Sequence, residues 1–381
     1  ANTQIVFPAP ANVGSGKVSV VTPYGVATSS QDVVVLPAGV AVADIASVKR
    51  LTLGAAAQSL SVNTSGKSLA VLYDASLGDF PSLQFSALGD LSINYSVYSQ
   101  TNVQLAYGTV TASTPTAHLP KASSSATYLV LLSPSQAPAT WKMAIEKAPS
   151  LGVNGSSLVQ GVTATGQSKR IIFVATTRQN LGFALSDLVF PNATNWVSAD
   201  FRIYDPDGNF VTSGWCYAEY GGCQANLSET PAGTYSVVIT PPGDGDRTMS
   251  FKSTLSTDLT GTLQTDVAQT VSLSRRGQNA RLSFSGTAGK TVALQVAGQN
   301  TTPADQPVYY TVYQPDGTQL ASVSTTSSAT LNLPNLPATG TYRVFVDPSS
   351  GETASAQVTL ASGTKGGQVT NGASGSFSTT V

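Results

Sequence analysis

The sequence predicts an all-β chain built from tandem antiparallel β-sandwich domains, and three observations predict it. A Thr-Tyr strand recurs at a fixed spacing. Tyr128 in Thr127-Tyr128-Leu129-Val130, Tyr235 in Thr234-Tyr235-Ser236-Val237 and Tyr342 in Thr341-Tyr342-Arg343-Val344 stand 107 residues apart each time. A fixed period of this length marks repeated structural units. Apolar and polar positions alternate with a period of two, as a half-buried strand requires. Val308, Tyr310 and Val312 alternate with Tyr309, Thr311 and Tyr313, and Ala280, Leu282 and Phe284 with Arg281, Ser283 and Ser285. Pro and Gly interrupt these runs about every 8 to 12 residues, the spacing of a sandwich or barrel.

Taken in order, residues 1–40 supply about three strands, too few for a self-sufficient sandwich. Three copies follow, at 49–150, 151–259 and 260–362. Each opens on a Gly and a polar residue: Gly66-Lys67-Ser68-Leu69, Gly166-Gln167-Ser168-Lys169 and Gly277-Gln278-Asn279-Ala280. Each has a central strand ending in a turn, at Val97-Tyr98-Ser99-Gln100, Ile203-Tyr204-Asp205-Pro206-Asp207-Gly208 and Val312-Tyr313-Gln314-Pro315-Asp316-Gly317. The first copy lacks the Pro-Asp-Gly turn. Residues 363–381 read as the first strand of a further copy, or as a tail. Both ends thus lie inside domains, and the chain is expected to be a section of a longer protein.

Charged residues make up 10% of the chain and the net charge is −1, where an average soluble protein has roughly 25% charged residues. With no basic face for phosphates, nucleic acid is not an expected partner. No run approaches the length of a membrane-spanning apolar segment. The two cysteines, Cys216 and Cys223, flank a hairpin tip. A disulfide there would close an eight-residue loop, worth about 2.5 kcal/mol in the chain-entropy model, and would indicate an oxidising compartment. Two buried thiols are the alternative. A metal site there would need two more ligands, and no other Cys or His lies near in sequence.

Three places offer side chains for function. Asp205, Asp207 and Asn209 put oxygen atoms at alternate positions, as a calcium loop does, but the closing Glu is missing. Pro-Asp-Gly is equally a turn signal. The expectation is therefore a turn and no cofactor, with calcium as the lesser alternative. Trp196, Trp215, Tyr217 and Tyr220 bring aromatic rings to the Cys hairpin and an earlier loop. They would form either a platform for a sugar face or protein partner, or hairpin packing. His118, the sole histidine, is expected in a loop. Neither a Gly-x-Ser-x-Gly elbow nor a His-Glu-x-x-His motif occurs, so a non-catalytic chain is expected.

The stretch Ile5-Val6-Phe7-Pro8-Ala9-Pro10, with Gly16-Lys17-Val18-Ser19-Val20 and Tyr24-Gly25-Val26-Ala27-Thr28, resembles the second half of an IPT/TIG immunoglobulin-like domain. Copies two and three resemble the sandwich repeats related to the bacterial pre-peptidase C-terminal domain. The resemblance is carried by Leu336-Pro337-Ala338-Thr339-Gly340-Thr341-Tyr342-Arg343-Val344-Phe345-Val346-Asp347-Pro348 and by the segment from Gly277 to Gly289. It implies Ig-like or jelly-roll-like sandwiches without catalytic residues. TIG domains followed by such repeats resemble the stalks of large secreted bacterial proteins, including Rhs-type toxins and surface adhesins. The expected role is a structural stalk or scaffold, secreted or at the cell surface, whose partners are other domains of the same protein. The alternative is a module holding a cell-surface glycan or protein on its aromatic Cys hairpin.

Overall fold

The computed structural model describes residue 8 and residues 10–191, 197–242 and 248–363. The fold is all-β, with antiparallel sheets packed face to face. Chain contacts divide it into two units. One holds Ala1–Pro149, Val162–Ile171 and Thr240–Thr248, and the other Ser150–Gly161, Ile172–Ile239 and Met249–Val381.

The chain opens with a two-stranded hairpin, β1 (Gly16–Thr22) and β2 (Gly25–Val33). Nine strands follow: β3 (Ile45–Arg50), β4 (Gln58–Val62), β5 (Ser68–Ala75), β6 (Pro81–Ser86), β7 (Ile93–Tyr98), β8 (Gln104–Val110), β9 (Thr116–His118), β10 (Ala126–Pro134) and β11 (Ala139–Lys147). They form a sheet of order β3-β5-β10-β7-β8 and a second of order β4-β11-β6-β9. Leu69, Val71, Tyr73, Tyr128, Val130 and Leu132 point from the first sheet into the core, where Leu83, Phe85, Trp141, Met143 and Ile145 meet them. Ala70, Leu72, Leu129 and Leu131 on the opposite face are buried too, beneath Val34, Leu36 and Val40. Burial on both faces explains why Leu69–Tyr73 and Tyr128–Leu132 read as continuous apolar runs. The segment after the hairpin therefore belongs to this sandwich. Arg50 ties it down further, reaching Asp32 and Asp74 at 2.6 Å each.

The middle of the chain contributes β12 (Leu158–Val162), β13 (Lys169–Ala175), β14 (Gln179–Val189), β15 (Ser198–Tyr204), β16 (Phe210–Tyr217), β17 (Gly222–Thr230), β18 (Gly233–Thr240) and β19 (Met249–Thr257). Their order is β12-β19-β14-β17-β16-β15-β18-β13. The last set is β20 (Leu259–Thr262), β21 (Gln269–Leu273), β22 (Ala280–Gly286), β23 (Val292–Thr302), β24 (Val308–Tyr313), β25 (Gln319–Thr325), β26 (Ala329–Asn332), β27 (Gly340–Pro348) and β28 (Thr353–Ser362). It forms two sheets, β20-β22-β27-β24-β25 and β21-β28-β23-β26.

One strand order therefore recurs three times. The runs β5-β10-β7-β8, β13-β18-β15-β16 and β22-β27-β24-β25 correspond, as do β4-β11-β6-β9, β12-β19-β14-β17 and β21-β28-β23-β26. In the middle set the two halves join edge to edge, because β16 runs through the Cys hairpin into β17 and a single pair, Tyr217 with Gly222, bridges them. A lead-in segment lies parallel to the first strand of each set's larger run. It is β3 on β5, β20 on β22, and a single bridge from Ser150 to Ile172 in the middle set.

The three Thr-Tyr strands are β10, β18 and β27, and each tyrosine makes the same two contacts. Its hydroxyl donates to the carbonyl oxygen four residues earlier: Tyr128 to Ser124 at 2.9 Å, Tyr235 to Pro231 at 3.2 Å and Tyr342 to Ala338 at 2.8 Å. Each is a tyrosine corner, a device of antiparallel sandwiches. Its ring stacks on an aromatic ring, that of Tyr73, Phe173 or Phe284, at 5.5, 5.1 and 5.1 Å. The period seen in the sequence is thus the period of a partly buried hydrogen bond and a ring stack.

Candidate functional site

The central turns share one geometry in all three sets. Asp205 N–H donates to Asn209 O at 2.9 Å and Gly208 N–H to Asp205 O at 3.0 Å. Gln314 with Thr318, and Gly317 with Gln314, repeat this at 2.8 and 2.9 Å, and Ser99 with Val103, and Asn102 with Ser99, at 2.9 and 3.0 Å. The first copy lacks Pro-Asp-Gly yet makes the same turn. Asn102 takes the left-handed position at φ 59°, where Gly208 and Gly317 stand at 86° and 89°, and Asn is the residue that best tolerates it after Gly. The Ser99 hydroxyl accepts from Thr101 N–H and Val103 N–H at 3.2 and 3.1 Å. The Asp205 carboxylate likewise accepts from the N–H of Asp207 and of Asn209, at 2.9 and 2.8 Å, and from Asn209 Nδ2 at 3.1 Å. The bond from Asn209, with the backbone donors around it, holds this carboxyl below its usual range. Asp205 thus caps the turn, its carboxylate facing N–H groups of Asp207 and Asn209. Among the described residues no group of three or more His, Cys, Asp or Glu side chains converges as metal ligands would.

The Cys hairpin is built at the end of β16. Cys216 and Cys223 are disulfide-bonded, 4.9 Å apart at Cα, and both are buried. The chain between them turns through a short 3-10 segment, Ala218–Tyr220, and Gly221. Alternation on β16 sends Cys216 inward and Trp215 outward, leaving Trp215 67% exposed. Tyr220 is also exposed, and its ring meets that of Tyr217 edge to face at 5.7 Å. Trp196 lies outside the described residues. The tip is not wholly open, since a Cβ on Gly221 would come within 2.8 Å of Pro303 Cγ. Tip packing and outward aromatic surface thus coexist on one hairpin.

The Gly-Gln openings are contact motifs. In the first unit, Gln167 Nε2 donates to Phe85 O at 3.4 Å, Gln84 Nε2 to Ser168 O at 2.8 Å, and Ser168 N–H to Thr116 Oγ1 at 3.1 Å. In the second unit, Gln278 Nε2 donates to Thr257 O at 3.3 Å, and Gly277 lies so close to β14 that a Cβ on Gly182 would stand 1.6 Å from Gly277 O. Asn279 Nδ2 donates to Asn226 Oδ1 and Asp258 Oδ1 at 2.8 and 3.2 Å. Arg281 Nε donates to Asp258 Oδ2 at 2.6 Å, while its guanidinium covers the Phe345 ring at 4.6 Å. Asp347 accepts from Gln224 and Asn226. Burial nonetheless pushes its carboxyl up, and Asp258 adds to this, while those two bonds and Arg281 pull the other way.

His118 is not in a loop. It ends β9, opposite Ser82 on β6, because the short strand fills the free edge of its sheet. Its Nδ1 meets Ser82 Oγ and its Nε2 meets Ser168 Oγ, each at 2.8 Å. Burial, with the charges of Arg170 and Lys169, brings its pKa down to about 3. Arg170 reaches Leu119 O at 2.7 Å and also Pro81 O, above the Phe80 ring. The imidazole thus bridges two serine hydroxyls, one on β6 and one just before β13.

No known protein family matches the chain, and no curated protein sequence matches it. Solved structures are similar at a distance. Tripeptidyl peptidase 2 is 9% identical over 72% of this chain and 30% of its own, with a TM-score of 0.24. The M60 catalytic domain with two CBM51 domains from Clostridium perfringens ZmpB is 9% identical over 79% and 55%, with a TM-score of 0.16. A Sulfolobus turreted icosahedral virus structure is 9% identical over 91% and 88%, with a TM-score of 0.18. The chain thus spans under a third of the first of these and about half of the second. Such scores carry no argument about function. Among the described residues no helix is long and apolar enough to cross a membrane.

Proposed function

We propose that this chain is a non-catalytic stalk or scaffold region of a large secreted or cell-surface bacterial protein, an adhesin or Rhs-type toxin. The observation that carries the reading is repetition without a site. One strand order, one tyrosine corner and one central turn occur three times, while neither a Gly-x-Ser-x-Gly elbow nor a His-Glu-x-x-His motif occurs in the sequence. The resemblance to a TIG domain followed by pre-peptidase C-terminal repeats supports the same reading, and the disulfide is compatible with an extracellular location. Each sandwich acts as a block of such an array, its stability set largely by its own core. The partners are then other domains of the same protein. Solution scattering on the full chain tests this, since a stalk gives an elongated particle.

A second reading is favoured by one observation, the exposure of Trp215 and Tyr220 beside the disulfide. On this reading the hairpin holds a glycan or a protein receptor. A glycan array with Trp215→Ala as control tests it. Binding lost in the variant supports the hairpin, and binding unchanged by the substitution counts against it.

A further inference from the structure

We propose that the second unit carries an anion-binding cleft between β14, β19 and the loop leading into β22, suited to a small oxyanion, a sulfate or carboxylate, free or carried on a sugar. This site is separate from the aromatic hairpin and does not depend on the stalk reading.

The cleft has a volume of about 310 Å³. Its floor is the outer face of the middle set. Ser186 of β14 pairs with Lys252 of β19, and Ala184 with Thr254, so Ser186, Lys252 and Thr254 share that face. Its wall is the loop Ser274-Arg275-Arg276. Arg275 is braced in place, because its Nε donates to Ser256 Oγ at 3.1 Å and its Nη2 donates to Gly155 O. Three of the chain's 19 Lys and Arg side chains therefore line one cleft.

Two further observations point to a ligand. Thr254 is only 9% exposed, and its buried hydroxyl has no hydrogen-bond partner. Arg276 Nη1 is buried without an acceptor as well. Native proteins rarely leave such groups unpaired, and each calls for an explanation. Both groups are donors, and an oxyanion presents several acceptors at once. Charge-assisted bonds to a guanidinium are the stronger kind. Two carboxylates set the balance. Asp187 lines the rim and pairs with Lys252 at 2.7 Å. Glu352 is fully buried and acts on Arg276 through its charge. Its Oε2 accepts from Ser350 N–H at 2.9 Å, while its Oε1 is itself unpaired, so it does not satisfy Arg276 Nη1. Three cations against these two carboxylates leave an excess of positive charge. An acidic ligand is favoured over a neutral sugar or a cation.

The test is calorimetric titration of the full chain at constant ionic strength with sodium sulfate, sodium glucuronate, glucose 6-sulfate and glucose. The proposal expects saturable one-site binding of at least one of the three anions and none of glucose. Tighter binding of glucose 6-sulfate or glucuronate than of sulfate would mark a sugar-borne ligand, and the reverse a free ion. Arg276→Gln should weaken binding roughly tenfold or more, as loss of a charged hydrogen bond does, and Thr254→Val several-fold. Arg343→Gln, on the exposed side of β27, should leave it unchanged. Circular dichroism checks folding, and Thr254→Val, nearly isosteric, carries the test if Arg276→Gln does not fold. The proposal is overturned if no anion binds saturably, or if the folded variants bind like the parent.

Discussion

The Tyr342 hydroxyl donates to the carbonyl oxygen of Ala338 at 2.8 Å, while the tyrosine ring stacks on Phe284 of the neighbouring strand at 5.1 Å. The ring is fully buried, while the bond itself lies at the partly buried corner. The chain enters β27 through a corner held by this single residue. Tyr128 and Tyr235 hold the matching corners.

Removing the hydroxyl tests the corner apart from the stack. Tyr342→Phe keeps the stack but strands the Ala338 carbonyl and takes away the acceptor of Ala338 N–H, 3.2 Å from the hydroxyl, which should cost about 1–2 kcal/mol. Tyr128→Phe and Tyr235→Phe should do the same in their own sets. Urea denaturation of the full chain measures each loss. Three unchanged midpoints would show that the corners are incidental.

Acid should loosen the contacts around His118. Its pKa is brought down to about 3 in the fold, against about 6.5 in an unfolded chain. A group depressed in the folded state contributes stability that is fully present above the unfolded value. That contribution is lost as pH falls from about 6.5 toward 3. Asp347 is shifted the opposite way, so the comparison must be between proteins. Melting temperature from pH 7.5 to 4.5 should fall more steeply for the parent than for His118→Gln. Parallel curves would contradict the assignment.

Reduction should cost the middle set about 2.5 kcal/mol, the entropy of an eight-residue loop. The Cys216→Ser, Cys223→Ser double variant should lose about that unfolding free energy, read from urea denaturation. Thiol labelling of the unreduced chain in denaturant should find no reactive cysteine. Labelling of both cysteines there would mean that the bridge is not formed.

Calcium should do nothing at the central turns. Asp205 already faces backbone and side-chain N–H groups at 2.8 to 3.1 Å. Millimolar calcium and its chelation should leave the melting temperature unchanged. Gly208→Ala and Gly317→Ala should each cost about 1–2 kcal/mol, because both positions are left-handed. A calcium-dependent rise in stability, lost in Asp205→Asn, would reverse this reading.

The strand content and the Thr-Tyr repeat were legible in the sequence because period-two alternation and buried tyrosines leave plain marks. The disulfide was legible from spacing. The turn of the first copy was not, since Ser99 and Asn102 replace Asp and Gly by chemistry and not by identity. The ring partners Tyr73, Phe173 and Phe284 were hidden because cross-strand neighbours are far apart in sequence. His118 read as a loop residue because a three-residue strand shows no period. The cleft at Thr254 and Arg276 joins segments of two strand sets, and neither segment is unusual alone.

On the proposed function these sandwiches form a stalk. Small-angle scattering of the monomeric full chain tests it most directly. A single compact body of this length would have a radius of gyration of about 21 Å. A stalk gives a value well above that, with a distance distribution skewed to a long tail. A value near 21 Å with a symmetric distribution would contradict it.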